Sequence, residues 1–308
     1  MLLADNWSDF ELQYAGCGEK YERWGDVYLQ RPDPQAIWEK GPLSTSENVN
    51  FQENSNTSGW PTPHALYHRA ETGGGYWEKK KNYLPKWEIS YPSKGGELKF
   101  WIEPTGFKHT GLFPEQAVNW DFCSDLIRER KQYDKPVRVL NLFAYTGGAT
   151  LACAAAGADE VVHVDASKGM ITRAKENVSL SKLEDKYIRF IAEDCGRFVD
   201  REIRRGRKYQ GIIMDPPAYG RGPAGELWKL EEALYPLVQK CEHLLADDGL
   251  FFLINSYTTG LSPIVLDSIL RLAVCQKRNG QTHAAELGFR ASKMNIILPC
   301  GAVGRWTQ

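Results

Sequence analysis

The chain has 308 residues, of which 42% are hydrophobic and 25% are charged, and its formal net charge is -1. At roughly 150 residues per domain, this length predicts about two domains, or one large domain with an extension. The composition excludes a mainly disordered chain, a collagen and a coiled coil, and the balanced charge excludes nucleic-acid binding that relies on bulk attraction.

The cysteine content and the hydropathy indicate a reducing, aqueous compartment. Seven cysteines occur, and no two are spaced as Cys-x-x-Cys, which is typical of reduced thiols rather than of disulfides or a zinc site. No run of 18 apolar residues predicts a membrane span, and the first residues lack the pattern of a secretory signal. We therefore predict a cytoplasmic protein with no metal site and no membrane partner. The sequence leaves the oligomeric state open.

Residues 1–113 are predicted to form an N-terminal region with a small β-rich module. Residues 44–58 are almost entirely polar, which predicts a loop. Residues 87–91 and 98–103 alternate between apolar and polar side chains and are rich in aromatics. This period of two predicts half-buried antiparallel strands. Helical spacing over residues 115–130 predicts a helix that bridges to the second half.

Residues 114–308 are predicted to form a second domain in which strands alternate with helices. The predicted strands are residues 136–142, 160–165, 187–191, 210–215, 249–254, 282–287 and 294–298. The predicted helices are residues 149–156, 167–181, 197–205, 226–245 and 263–277. This alternation predicts an α/β fold with a doubly wound, mostly parallel, seven-stranded Rossmann-like sheet. The last two strands are predicted to form an antiparallel hairpin at one edge.

The first predicted strand of this sheet leads into a glycine-containing loop. Ligands of open α/β sheets bind beyond the carboxyl ends of the strands, so the residues after each strand are candidates for a site. Gly147 and Gly148 are adjacent in this loop and follow the aromatic residues Phe143 and Tyr145. The three-glycine dinucleotide fingerprint is missing, which favours a cofactor without a pyrophosphate. The alternative is an ordinary tight turn between a strand and a helix.

Acidic residues follow the second and third strands. Asp165 ends the second strand, where an acid typically holds ribose hydroxyls. The alternative for Asp165 is a helix cap, a role that Ser167 can fill instead. Asp194 and Cys195 follow the third strand, where they could meet an adenine amino group. The alternative for Asp194 is an acid that is stabilised by the dipole of the next helix.

The fourth strand ends in an acid followed by two prolines. Pro216 and Pro217 cannot donate hydrogen bonds to a sheet, so they end the strand and leave carbonyl groups free as acceptors. A carboxylate at Asp215, these carbonyls and the ring of Tyr219 suit a planar base that carries N–H groups. The alternative is a proline-rich exit loop without a function.

Together these segments resemble class I S-adenosylmethionine-dependent methyltransferases. The resemblance rests on residues 139–148, 164–167, 194 and 215–217 and is strongest to the large-subunit ribosomal RNA methyltransferase group of the Rlm I and Rlm K type. That group typically carries a segment similar to Thr-Gly-x-Phe-x-Asp-x-Arg before its methyltransferase domain. This chain has residues 110–117 there, with Ala117 where the group often has arginine. The N-terminal segment shows no clear match to the RNA-binding PUA module of some members.

The resemblance implies a binding site for S-adenosyl-L-methionine (SAM). It implies that the loop after the first strand faces the methionine and ribose, and that Thr110 and Phe113 close over the methionine end. Asp165 would bind the ribose hydroxyls, and Asp194 with Cys195 would border the adenine. The implied cofactor-binding residues are Thr110, Phe113, Asn141, Phe143, Ala144, Tyr145, Gly147, Gly148, Asp165, Ser167, Asp194 and Cys195.

The residues after the fifth strand bear on the acceptor atom. Methylation of cytosine C5 requires a thiolate that attacks the ring. In the members of this group that modify cytosine, the cysteine follows the fifth strand, whereas residues 255–259 contain none. We therefore expect direct transfer to a base nitrogen of RNA, with ribosomal RNA favoured, a reaction that depends mainly on positioning. The expected catalytic residues are Asp215, Pro216, Pro217 and Tyr219.

Other functions and contacts remain open at the level of sequence. The chain could methylate a small molecule or a protein side chain, and a different class is an NAD-dependent oxidoreductase on a Rossmann-like fold. Residues 79–81 with nearby aromatics and a basic cluster at residues 201–208 are either RNA contacts or solvated surface. His109 is expected to be structural.

Overall fold

The N-terminal region of the computed structural model consists of strands. The structure describes residues 1–40, 59–70, 74–106, 108–221, 227–258 and 260–308, so the loop predicted at residues 44–58 lies outside the described residues. The strands are β1 (Leu2–Leu3), β2 (Phe10–Gly16), β3 (Glu19–Trp24), β4 (Val27–Pro32), β5 (Ala65–Arg69), β6 (Gly75–Lys79), β7 (Trp87–Ser93) and β8 (Gly96–Ile102).

Of these eight strands, only β7 and β8 were predicted individually. Strands β2 to β6 form a five-stranded sheet in chain order, antiparallel except between β4 and β5, and β7 pairs with β8 as the predicted antiparallel hairpin. The sequence missed β2, β3 and β4 because charged residues are buried within them. Glu22 is 1% exposed and Arg31 is 7% exposed, and the two side chains form an ion pair. Such a pair obscures the alternation of polar and apolar residues.

The second half alternates between strands and helices as predicted. Its elements are α1 (Ala117–Lys131), β9 (Arg138–Leu142), α2 (Gly148–Ala155), β10 (Glu160–Asp165), α3 (Lys168–Leu180), β11 (Ile188–Ala192), α4 (Cys195–Arg204), β12 (Gly211–Met214), β13 (Tyr219–Arg221), β14 (Leu227–Lys229), α5 (Leu230–Glu242), β15 (Phe251–Ser256), α6 (Pro263–Leu270), β16 (Gln281–Arg290) and β17 (Ile297–Thr307). A 3₁₀ turn at Pro114–Gln116 precedes α1, and a π-helical segment at Arg271–Cys275 continues α6.

The predicted doubly wound sheet is confirmed and has one additional strand. Its order is β1-β16-β17-β15-β12-β9-β10-β11, and β9, β10, β11, β12 and β15 run parallel. The prediction that the last strand ends at residue 298 is wrong. Strand β17 extends to Thr307 because it lies between β15 and β16 and pairs antiparallel with both. The additional strand, β1, pairs with the outer edge of β16.

Helices cover both faces of this sheet. Alternate residues of each strand point to opposite faces, so Val139 packs towards α1 and α2 while Leu140 packs towards α4, α5 and α6. Each face is apolar because each is covered, which explains the continuous hydrophobic runs of these strands. In the part of the chain that the structure describes, no helix is long and apolar enough to cross a bilayer.

The hairpin of β7 and β8 packs directly on the helices of the large sheet. Trp120 of α1 contacts Tyr91 of β7 and Phe100 of β8, with ring centroids 5.6 and 5.3 Å apart. These residues belong to one hydrophobic cluster that also includes Leu151 of α2. The N-terminal strands and the large sheet therefore share a core, although the boundary between residues 113 and 114 stays a prediction.

Gly95, in the turn between β7 and β8, generates a prediction for this contact. A Cβ atom added at Gly95 would lie 2.5 Å from the carbonyl carbon of Ala155 in α2, so the hairpin or the helix would have to shift. We expect Gly95→Ala to lower the free energy of unfolding by about 1–3 kcal/mol, measured by urea denaturation. Gly106→Ala is the control, since an added Cβ there meets nothing within 4 Å. Equal unfolding midpoints for the two variants would contradict this close contact.

Candidate active site

The candidate site lies where the chain reverses its direction across the sheet. Strand β9 pairs with β10 on one side and with β12 on the other, while the chain visits β10 and β11 before it returns to β12. The crevice at such a reversal is the usual ligand site of open α/β sheets. The loop after β9 and the residues after β12 line this crevice together.

The loop after β9 is tightly turned. Phe143 and Tyr145 have φ angles of 56° and 50°, a conformation that is uncommon outside glycine and concentrates at functional sites. Gly147 has a φ of 91° and is the N-cap residue of α2. A Cβ atom added at Gly148 would lie 2.5 Å from Cζ2 of Trp120, so glycine at this position lets α2 pack against α1.

Asp165, at the end of β10, ties two loops together. Its Oδ2 accepts a hydrogen bond from the backbone N–H of Tyr145 at 2.9 Å, and its Oδ1 accepts one from that of Ser167 at 2.8 Å. Burial raises the pKa of Asp165 above its ordinary value. Ser167 caps α3 by accepting a hydrogen bond from the backbone N–H of Met170. Asp165 is therefore not the cap and keeps its carboxylate in the wall of the crevice.

The residues after β11 also combine a structural contact with a place in the wall. Asp194 caps α4 by accepting a hydrogen bond from the backbone N–H of Arg197 at 2.9 Å. Cys195 is buried, and its Sγ accepts a hydrogen bond from the backbone N–H of Phe143 at 3.3 Å. Burial raises the pKa of the Cys195 thiol well above its ordinary value, so the thiol is protonated near neutral pH.

Asp215, directly after β12, is the least satisfied polar group of the site. Its Oδ1 is buried and has no hydrogen-bond partner among the described residues. Burial, and then the neighbouring charge of Glu115, raise the pKa of Asp215 to about 7. An unpaired buried carboxyl group costs stability, which makes a ligand that donates an N–H or O–H group the natural partner for it.

These residues surround a cavity of about 390 Å³, which we call the main cavity. A narrower recess of about 50 Å³ shares Phe113, Phe143, Tyr145 and Asp215 with it. Phe113 contacts Tyr145, with ring centroids 5.4 Å apart, so the segment before α1 forms one side of the main cavity. The cavity therefore combines aromatic rings with carboxylates, which suits a ligand with both a flat ring and hydroxyl groups.

Most of the expected site residues lie in these walls. The main cavity is lined by Phe113, Phe143, Tyr145, Asp165, Ser167, Asp194, Cys195, Asp215, Pro216 and Pro217. The recess is lined by Asn141, Ala144 and Gly148, together with the shared residues. Gly147 lies in neither wall and contributes the backbone conformation that begins α2.

The expected catalytic role of Tyr219 is not supported by its position. Tyr219 is 56% exposed, pairs with Lys229 in the β13–β14 hairpin, and lies outside both walls. Successive side chains of an extended strand point to opposite sides. Ala218 and Gly220 therefore line the main cavity, and Tyr219 between them points away.

Thr110 and one proline carbonyl also differ from expectation. Thr110 is fully buried outside both walls, and its carbonyl accepts a hydrogen bond from the backbone N–H of Glu103 at 2.9 Å. The carbonyl of Pro217 is not free, because it accepts a hydrogen bond from Nε1 of Trp228 at 2.7 Å.

Three residues of the main cavity that carry a ring were not among the expected site residues. Trp228 lies 5.2 Å from Phe143 between ring centroids, in a hairpin that the sequence did not predict. Tyr257, which follows β15, accepts a hydrogen bond from Nε2 of Gln116 at 2.6 Å. Its position after the fifth strand is the signal that could have found it. His109 was expected to be structural but lines the cavity, and burial, followed by Arg31 and Lys108, lowers its pKa to about 4.

Comparison with known proteins agrees with this geometry. Residues 80–270 match the family model described as S-adenosylmethionine-dependent methyltransferase. A structure of a SAM-dependent methyltransferase from Agrobacterium tumefaciens superimposes with a TM-score of 0.86 and 33% identity, covering 99% of this chain and 92% of that one. The chain therefore belongs to the SAM-dependent methyltransferases, with SAM as the cofactor, and is not an oxidoreductase.

Two relatives carry names that include a substrate. The chain is 33% identical over 221 residues to ribosomal RNA large subunit methyltransferase I of Enterobacter sp. (strain 638). The aligned region covers 71% of this chain and 48% of the relative. It is 35% identical over 122 residues to ribosomal RNA large subunit methyltransferase K/L of Shewanella sp. (strain MR-4), covering 39% of this chain and 16% of that protein. The chain thus spans about half, or less, of the length of these relatives.

Proposed function

We propose that this chain transfers the methyl group of SAM to a base nitrogen of RNA, with ribosomal RNA as the favoured substrate. The observation that carries the choice of a nitrogen is the buried, unpartnered Oδ1 of Asp215 in the wall of the main cavity. The names of the relatives support RNA as the substrate class.

The residues of the main cavity and the recess fit the parts of SAM. Asp165 would present its carboxylate to two ribose hydroxyls, and Asp194 and Cys195, which line the same cavity, would border the adenine. The recess between Phe113, Asn141 and the loop after β9 suits the methionine end. Ser167 and Gly147 support this arrangement by beginning the helices that follow β10 and β9.

Asp165 provides a test of the cofactor site. We expect wild-type protein to bind SAM and not NAD in calorimetry, and Asp165→Ala to raise the Kd for SAM roughly 10- to 150-fold. This range corresponds to the loss of hydrogen bonds to a charged group, about 1.5–3 kcal/mol. Asp185→Ala is the control, because the Asp185 side chain is 69% exposed and pairs with its neighbour Lys186. An unchanged Kd in a folded Asp165→Ala variant would show that the carboxylate only bridges the two loops and does not bind SAM.

Asp215 is placed to act on the acceptor nitrogen. When bound, SAM supplies an electrophilic methyl group on a sulfonium ion. The ionised Asp215 would accept a hydrogen bond from the N–H of the base and orient the nitrogen lone pair. As the new N–C bond forms and the bond between the methyl group and sulfur breaks to leave a neutral thioether, this carboxylate would receive the proton that the nitrogen loses. Pro216 and Pro217 hold Asp215 at the end of β12 by preventing the strand from continuing.

The raised pKa of Asp215 generates a pH prediction. Below pH 7 the carboxyl group is mostly protonated and cannot accept the N–H, so kcat should rise as pH increases. For a pKa of about 7, the ionised fraction rises roughly tenfold between pH 6 and pH 8.

Asp215→Asn should lower kcat by about 10²–10⁴-fold and abolish this rise, with a nearly unchanged Kd for SAM. Single-turnover transfer to ribosomal RNA measures both effects, and a variant that retains the wild-type rate would show that Asp215 is structural.

The cysteines near the site favour direct transfer over a covalent route. Cys195 lines the main cavity, and Cys300 lies beside Tyr257 in a neighbouring cavity. Burial raises the pKa of both thiols well above the ordinary value. Because the thiolate is the nucleophile, protonated thiols are poorly suited to attack a cytosine ring. Cys153 and Cys241 are buried in helices as packing residues.

A trapping experiment distinguishes the two routes. RNA that contains 5-fluorocytidine forms a stable adduct with methyltransferases that attack cytosine through cysteine. We expect no protein–RNA adduct that survives denaturation when this chain is incubated with such RNA and SAM. An adduct mapped to Cys195 or Cys300 would contradict transfer to nitrogen.

The two basic clusters give unequal support for RNA contact. Lys79 lies over the ring of Tyr83 at 5.1 Å, and nearby Tyr76 is 60% exposed, an arrangement of cations and rings that suits phosphate contact and base stacking. Lys80 of this cluster pairs with Glu78. In the second cluster, whose described residues lack exposed rings of this kind, Arg201 and Arg207 form ion pairs with Glu193 and Glu160. We therefore favour the strands of the N-terminal region as the RNA-binding surface.

We also propose a cytoplasmic location. All seven cysteines are free in the structure, although several are buried within the same cores. Unpaired cysteines in a folded protein are typical of reducing compartments.

A further inference from the structure

A second cavity of about 240 Å³ lies between the N-terminal sheet and the methyltransferase sheet, and we call it the side cavity. One wall comes from β3 and the end of β4, and the other from the segment before α1 and the residues that follow β15. His109, Phe113 and Tyr257 line both the side cavity and the main cavity. A molecule in the side cavity would therefore lie next to the proposed cofactor site.

The shared wall is aromatic. Phe113 lies at the centre, with ring centroids 5.3 Å from His109 and 5.3 Å from Tyr257. The lowered pKa of His109, about 4, keeps its ring neutral near pH 7. Neutral, flat side chains of this kind stack on nucleobases without regard to their identity.

Most of the charges of the side cavity neutralise each other. Arg31 donates hydrogen bonds to Glu22 from Nε at 2.7 Å and from Nη2 at 2.8 Å. Lys20 forms ion pairs with Glu22 at 3.3 Å and with Asp33 at 3.2 Å. These four side chains hold β3 and β4 in place and leave little charge for a ligand.

Two further charged groups of the side cavity form no ion pair at contact distance among the described residues. Glu115 is only 8% exposed, its carboxyl group accepts a hydrogen bond from its own backbone N–H, and the charges of Lys20 and Arg31 act on it from within the same cavity. Lys108 lines the same cavity, and its ammonium group likewise has no ion pair or hydrogen bond among these residues. Glu115 lines the side cavity and Asp215 lines the adjoining main cavity, and the charge of Glu115 contributes to the raised pKa of Asp215.

We propose that the side cavity receives the acceptor base, turned out of the RNA, and that Glu115 is a specificity-determining residue for bases with an exocyclic amino group. This inference rests on the proposed function. Glu115 and Asp215 both accept hydrogen bonds, which matches the two N–H donors of an amino group on adenine, cytosine or guanine. Uracil presents a carbonyl oxygen to the same groups and leaves a buried carboxylate unpaired. The ammonium of Lys108 is available for the phosphate of the same nucleotide.

The test compares wild-type protein with Glu115→Ala, Glu115→Gln and Glu97→Gln, using tritiated SAM and ribosomal RNA from cells that lack the gene. We expect Glu115→Ala to lower kcat/KM for RNA roughly 10- to 150-fold while the Kd for SAM changes less than about twofold. Glu115→Gln keeps the volume and one acceptor oxygen, so it should lose less. Glu97 is exposed in β8 away from the side cavity, and its variant should match wild type. Circular dichroism confirms the fold of each variant.

A second pair of measurements addresses the nucleotide itself. Mass spectrometry of the digested product should place the methyl group on the amino nitrogen of a nucleoside. Lys108→Gln should raise KM for RNA. It should also reduce the slope of the log binding constant against log salt concentration by the contribution of about one phosphate contact.

Three outcomes would overturn the inference alone. They are normal kcat/KM in Glu115→Ala, an equal loss of SAM binding in that variant, or a wild-type product methylated on a nitrogen of uridine. A wild-type product methylated on carbon or ribose would overturn the proposed function as well. Absence of any transfer to ribosomal RNA by wild-type protein would overturn the proposed function, and the inference with it. The wild-type measurement thus separates the two failures.

Discussion

The pairing of β9 with β10 on one side and β12 on the other is the constraint on which the site depends. The chain must leave this region, build β10 and β11, and return on the opposite side of β9. Parallel strands end at the same edge of a sheet, so this path brings the loop after β9 and the carboxyl group after β12 into one crevice. Asp165 then fixes the geometry locally, because it binds backbone N–H groups of the loops after β9 and β10.

The N-terminal region completes the crevice instead of standing apart from it. The β7–β8 hairpin packs on Trp120, Gly95 contacts α2 closely, and both contacts belong to the core that underlies the site. The segment that leaves β8 then runs past the carboxyl edge of the large sheet and places His109, Phe113 and Glu115 there. Aromatic contacts from Phe113 to Tyr145 and Tyr257 join this segment to the strand ends. The side cavity therefore lies between the two sheets, and the segment after β8 forms one side of the main cavity.

The buried acids of the site contrast with those of the N-terminal sheet. Glu22 is buried, yet Arg31 and Lys20 pair with it, so its charge is compensated. Oδ1 of Asp215 is buried with no hydrogen-bond partner among the described residues, and Glu115 is buried with no ion pair at contact distance among them, although the charges of Lys20 and Arg31 act on it. Burial raises the pKa of both. A buried acceptor without a donor lowers the free energy of unfolding by about 1–3 kcal/mol. Groups that are kept unpaired at this cost are candidates for ligand contact, whereas the Glu22 cluster is a structural element.

The sequence alone determined the α/β class, the succession of strands and helices in the second half and most of the residues that we propose for the cofactor site. It could do so because hydrophobic periodicity and the chemistry after each strand are local properties. Asp165 and Asp215 were found in this way, since each follows an apolar run that predicts a buried strand. Tertiary structure alone decided the rest. Tyr219 points away because of the pairing of β13 with β14, and β17 is long because two strands flank it. Trp228, Tyr257 and Glu115 reach the crevice through contacts between segments that are far apart in the chain, and no local pattern encodes which distant segments will meet.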